Sequence, residues 1–192
     1  MRREVLVPVV HRGEATHWAQ TVYPRRTVLI RRAGAADLDV VGRLYRELQD
    51  YERRFRPSRR PGRALPRSYV EGLLREDKRN AGRLFVATLD TQVIGFLACA
   101  LESDVLELEA LRARITDLAV AATWRRRGVA AALIAAAEGF ARGKGARWVE
   151  ITALTQNTAA RRTYLALRFR ESAVTYQRRL TARQRPRARS TR

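Results

Sequence analysis

Between Ile115 and Ala130 the chain reads ITDLAVAATWRRRGVA, an apolar run that enters three arginines, a glycine and an alanine-rich stretch. Arg125, Arg126 and Arg127 repel one another, so their crowding is costly unless something anionic sits beside them. Gly128 stands where a strand has ended and a helix is about to begin. The first amides of a helix have no internal partner and point outward, with the helix dipole behind them. A glycine there lets the backbone approach a ligand with no side chain in the way. The combination is an anion cradle, and a pyrophosphate is its natural guest.

Other chemistries are disfavoured by residue type. Cys99, inside VIGFLACAL, is the single cysteine. It supports no disulfide framework and reads as a small buried hydrophobe rather than a nucleophile. His11 and His17 are the two histidines, and both lie near the N-terminus, far from any motif. No cysteine and histidine spacing suits a metal, so no metal is expected.

The net charge is +20 and the pI about 11.6, values that point to polyanions. Yet Lys78 and Lys144 are the only lysines, and the other 37 basic residues are arginine. Such a skew reflects overall composition as much as a binding surface. A non-catalytic basic module that contacts nucleic acid is therefore the alternative reading, and not the favoured one. No membrane segment is expected, because Pro8 interrupts the apolar VLVPVV and the run at 129–137 is too short to span a bilayer. A cytoplasmic monomer or homodimer is anticipated.

These residues need elements to position them, and hydrophobic periodicity supplies them. Residues 1–26 read as an N-terminal arm, 27–180 as one domain, and 181–192 as a basic tail with little to bury. A strand is predicted at 27–32. The helix at 38–51 follows, with Asp37 as N-cap and Leu38, Val41, Leu44, Tyr45 and Leu48 as its apolar stripe. A loop rich in proline and arginine leads to a second helix at 68–80. A hairpin spans 83–90 and 92–101, and the acidic stretch 102–114 either extends it or loops out. A strand at 114–121, a helix at 128–142, a strand at 146–154, a helix at 157–168 and a last strand at 173–180 complete the order. That order implies an α+β or mixed α/β domain around one sheet.

Arg125-x-x-Gly128-x-Ala130, entered from LAV, resembles the acetyl-CoA pyrophosphate loop of the GCN5-related N-acetyltransferases (GNAT). Downstream, Asn157, Ala160, Tyr164 and Phe169 match the family's second motif in order and spacing, while Arg168 stands where the family has glycine. The resemblance covers roughly residues 27–180. It implies a central, mostly antiparallel sheet with a splayed parallel strand pair, flanked by helices. It also implies acetyl-CoA as co-substrate, and transfer of its acetyl group to a primary amine by direct attack in a ternary complex. The family glycine at position 168 suggests a turn with positive φ, where arginine is strained.

The resemblance also assigns roles. The loop Arg125, Arg126, Arg127, Gly128, Val129 and Ala130 would hold the pyrophosphate, with at least one arginine side chain on a phosphate. Leu118, Ala119 and Val120 would act through their backbones, an N–H near the strand end meeting the oxyanion formed on attack. Asn157 and Ala160 would lie along pantetheine, although Asn157 is equally suited to cap its helix. Tyr164 would protonate the departing thiolate; its rival role is packing between helix and sheet. An alkyl ammonium has a pKa of about 10 and must lose a proton before it attacks. Asp117 is the first candidate to take that proton and Glu150 the reserve, each with a plain salt-bridged carboxylate as its rival.

The acceptor groove of the family lies by the first two helices, their connecting loop and the late strands. Here Glu47, Asp50 and Glu52, with Glu102, Asp104, Glu107 and Glu109, favour a cationic small-molecule or peptide amine. The arginines of loop 53–63 favour the opposite, an amine bearing a carboxylate or phosphate.

Overall fold

A computed structural model describes residues 20–23, 26–79, 81–104, 106, 108 and 111–178. One six-stranded sheet runs in the order β1-β2-β3-β4-β5-β6. Its strands are β1 (Gln20–Tyr23), β2 (Arg26–Arg32), β3 (Gly82–Leu89), β4 (Gln92–Ser103), β5 (Leu111–Val120) and β6 (Trp148–Ile151). Every neighbouring pair is antiparallel except β5 and β6, which are parallel. The helices are α1 (Leu38–Glu52), α2 (Arg67–Lys78), α3 (Val129–Gly143) and α4 (Thr158–Ala166). The fold is thus the mixed α/β arrangement expected, with its splayed parallel pair.

Both faces of the sheet are covered, which explains why β3 and β4 are apolar almost throughout rather than alternating. On one face α3 buries Val129, Leu133, Ala136, Ala137 and Phe140 against Ile30, Phe85, Ile94, Leu97 and Ile115. On the other, α1 and α2 bury Val41, Leu44, Tyr45, Val70 and Leu74 against Leu84, Val86, Phe96 and Ala119. Leu133 is fully buried, so truncating it to alanine would cost about 2–5 kcal/mol.

Several local expectations are corrected. Residues 20–23, placed in the arm, pair with β2 and extend the sheet; VLVPVV and the tail at 181–192 lie outside the described residues. The acidic stretch extends the hairpin, since β4 reaches Ser103 and β5 starts at Leu111. The strand predicted at 146–154 shortens to Trp148–Ile151. The last strand is absent over 173–178, and 179–180 lie outside the described residues. There Val174 is 68% and Tyr176 90% exposed; β-prone residue types gain nothing without a surface to pack on.

Asp37 does not cap α1 with its side chain. Its carboxylate instead accepts from Arg31 at 2.7 and 2.8 Å and from the Gly34 amide at 2.8 Å. The Arg31 bond holds its pKa below the usual carboxylate value despite burial. The turn that feeds α1 is therefore locked to β2.

Candidate active site

The site begins where β5 and β6 part. Their pairing ends at Ile115 opposite Ile151, while β5 continues five residues to Val120. Among the described residues no strand pairs with residues 116–120 on that side, so alternate backbone groups face the gap without a strand partner, the Val120 carbonyl being taken by Arg125. A bulge precedes it. Ala98 pairs with Asp117 and Cys99 with Ile115, leaving Thr116 as the extra residue. One extra residue exchanges the two faces of a strand. Ile115 accordingly packs on the α3 side, whereas Ala119 packs on the α1 and α2 side and Leu118 and Val120 return to the α3 side. The bulge carries Asp117 across the sheet to the helices α1 and α2.

There Asp117 is buried, 7% exposed. Tyr69, on α2, donates its hydroxyl to Asp117 at 3.2 Å. Tyr45, on α1, packs its ring 4.7 Å from that of Tyr69, near enough for its hydroxyl to lower the Asp117 pKa. Gln49 Nε2 donates to the Tyr45 hydroxyl at 2.9 Å, and Arg59 donates to Gln49 Oε1 at 3.2 Å and to Glu52 at 2.9 Å. A polar chain thus runs from the loop after α1 to the carboxylate. Burial pushes the Asp117 pKa up, and the hydroxyls of Thr116, Tyr69 and Tyr45 oppose that shift. Burial raises Tyr45 and Tyr69 as well, so both phenols keep their protons and remain donors. A cleft of about 350 Å³ is lined by Tyr69, Gly72, Ala98 and Thr116 among others; Asp117 is not in its lining.

The loop 121–128 lies at the end of β5. Arg126 (φ 59) and Gly128 (φ 80) both adopt left-handed backbone. The first α3 bond runs from the Ala132 amide to the Gly128 carbonyl, at 3.0 Å. The amides of Val129, Ala130 and Ala131 therefore have no carbonyl within the helix. The arginines are turned in different ways. Arg125 donates to the Val120 carbonyl at 3.0 Å and lies 5.4 Å from the Tyr51 ring centre, and Arg127 stacks on Trp124 at 5.0 Å. The loop is braced by its own side chains while its amides face outward.

Across the gap, Asn157 caps α4, its side chain accepting from the Ala160 amide at 3.2 Å. The two residues expected along pantetheine are thus bonded to each other. Tyr164 packs with Leu167 and Phe169 against the α3-side core, on the face shared by Leu118 and Val120. Burial, and after it the charge of Glu52, pushes its hydroxyl up to about 12. Arg168 has φ 67, the left-handed conformation expected at that turn.

Glu150 is held by Arg112 at 2.9 Å and Arg114 at 3.6 Å, and the geometry gives it no link to Asp117. Burial pushes the Cys99 thiol up to about 12, an inert state. Among the described residues no group of three His, Cys, Asp or Glu could hold a metal, and no helix is long and apolar enough to cross a membrane. The sequence reading missed Tyr45, Gln49, Arg59 and Tyr69. Tyr45 reads as part of a core stripe, and nothing in the spacing marks two tyrosines 24 positions apart as packed on one another beside Asp117.

The acetyltransferase (GNAT) family profile matches residues 43–169. No curated protein matches the sequence. Among solved structures, a transcriptional regulator from Bacillus halodurans C-125 is 24% identical, with a TM-score of 0.65 over 80% of this chain and 99% of that one. An aminoglycoside acetyltransferase from an uncultured soil metagenomic sample, solved with trehalose, is 25% identical, with a TM-score of 0.59 over 80% and 97%. The aminoglycoside N-acetyltransferase AAC(6')-Iy, solved in complex with CoA, is 23% identical, with a TM-score of 0.59 over 79% and 99%.

Proposed function

The chain belongs to the acetyltransferase (GNAT) family, and on that footing we propose that it moves an acetyl group from acetyl-CoA to a primary amine by direct attack in a ternary complex. The observation that carries this reading is the gap between β5 and β6. It has a loop with outward-facing amides at one end, the buried Asp117 carboxylate on one face and the protonated Tyr164 phenol on the other. The residues present suit acetyl-CoA. The open amides at the start of α3 fit a pyrophosphate, and the unpaired edge of β5 offers hydrogen bonds to an extended amide chain. That co-substrate supplies an acyl group already activated as a thioester.

The chain's own residues do the rest. Asp117 takes the ammonium proton, and its raised pKa brings it nearer the amine it must deprotonate. The amides of Leu118 and Val120, which alternate away from β4 and face the gap, provide donors for the carbonyl oxygen under attack, while the Ala119 amide faces β4. Tyr164, protonated at neutral pH, donates to the departing sulfur. In Val129 and Ala130 the contribution is the backbone, with Gly128 allowing close approach and Arg126 placed for a phosphate. Asn157 orders the start of α4 beside the gap.

The test is free-thiol release from acetyl-CoA in the presence of a panel of primary amines. Amine-dependent release with intersecting initial-rate lines is expected. Parallel lines would point to a covalent acyl-enzyme, and no release with any amine would sink the assignment.

A further inference from the structure

Resting on the acetyl-transfer reading, we propose that the acceptor is a primary amine whose molecule also carries a carboxylate or phosphate, held by the arginines of the loop between α1 and α2. Most of the described acids that favoured a cationic acceptor have partners within the protein. Asp50 accepts from the Gly62 amide at 2.8 Å, and Glu52 is bound to Arg59. Glu102, Asp104 and Glu150 are all taken up by Arg112 and Arg114. Asp50, Glu52, Glu102 and Asp104 are thus engaged within the protein, while Glu47 stays exposed and Glu107 and Glu109 lie outside the described residues.

The loop itself carries cations and no acid. From residue 53 to residue 70 the chain contains no acid, while Arg53, Arg54, Arg56, Arg59, Arg60 and Arg63 follow one another in eleven positions. Glu52 is paired with only one of them, Arg59. The Nε atoms of Arg53 and Arg59 are buried with no hydrogen-bond partner among the described residues. The loop is fixed in place, because Gly62 is buried and any side chain there would collide with the Arg46 carbonyl. It also lies beside the reacting end of the site. Arg59 donates to Gln49, Gln49 donates to the Tyr45 hydroxyl, and the Tyr45 ring packs on Tyr69, which donates to Asp117.

An amine delivered to Asp117 must therefore bring the rest of its molecule past a fixed, acid-free cationic loop. A polyamine would be repelled along its length. A carboxylate or phosphate a few bonds from the amine would gain charge-assisted hydrogen bonds from guanidinium groups.

Equilibrium binding to the CoA-loaded protein tests this directly. Calorimetry with O-phosphoethanolamine against ethanolamine, and β-alanine against β-alaninamide, compares matched amines with and without the anion; spermidine serves as the polycation. The anionic member of each pair is expected to bind about tenfold or more tightly than its partner, with the advantage shrinking at high salt. An Arg56→Gln/Arg60→Gln variant should lose that advantage and keep its affinity for acetyl-CoA. Equal or tighter binding of the uncharged-tail amines or spermidine would overturn the proposal. An anionic preference without thiol release would support it while removing the acetyl-transfer reading.

Discussion

Tyr69 on α2 donates its hydroxyl to Asp117 on β5, at 3.2 Å across 48 residues of sequence. The bond holds the carboxyl below the value that burial alone would impose. Tyr69→Phe removes it, so the Asp117 pKa should rise further. A proton acceptor must be ionised to act, and the acid limb of kcat/KM should then move to higher pH. Profiles of kcat/KM against pH for the two proteins check this. An unmoved limb, or one shifted to lower pH, would detach Tyr69 from the chemistry.

Tyr164→Phe keeps the ring and its packing against the α3-side core but removes the donor. Turnover should fall by about 10²–10⁴-fold, the usual range for a general acid, with acetyl-CoA affinity almost unchanged. Wild-type kcat in the variant would leave Tyr164 as a packing residue.

Gly128→Val puts a β-branched side chain at φ 80, a conformation that costs an L-residue about 1–2 kcal/mol. It also crowds the amides at the start of α3. The variant should remain folded by circular dichroism and lose most of its calorimetric affinity for acetyl-CoA. Undiminished affinity in the folded variant would place the pyrophosphate elsewhere.

Arg168→Gly should act on stability alone. Arginine at φ 67 is strained, and glycine there should recover about 1 kcal/mol, or ~2–4 °C in Tm for a chain of this size. Thermal unfolding monitored by circular dichroism checks the shift. A lower Tm would mean that the Arg168 side chain contributes a contact worth more than the strain.

Much of this architecture was legible because it rests on local rules. The stripe of α1, the alanine-rich face of α3, the hairpin and the Arg125–Gly128 turn each announce themselves within a dozen residues. What was hidden is long-range. The bulge at Thr116 leaves no mark in ARITDLAV, where odd positions look like one face; only the register with β4 shows Asp117 turned away from Ile115. Tyr45 reads as a core residue because its ring is one, and only the packed structure brings that ring onto Tyr69 of α2 beside Asp117 of β5. Strand propensity misled over 173–178, because Val174 and Tyr176 find no surface to cover. Two acids of the β4–β5 hairpin that point to a cationic ligand, Glu102 and Asp104, are held by Arg114 and Arg112, partners that spacing does not reveal.

The central claim is that Asp117 receives the amine proton, and Asp117→Asn tests it most directly. The substitution preserves shape and an oxygen that can still accept from Tyr69. A carboxyl whose folded pKa is raised costs stability as pH climbs from its unfolded value through the folded one, so asparagine should not lower Tm at neutral pH. Thiol release measured on wild type and variant, at saturating acetyl-CoA and a shared amine, should differ by about 10²–10⁴-fold with acetyl-CoA binding intact. A folded Asp117→Asn protein that releases thiol at the wild-type rate would contradict the account.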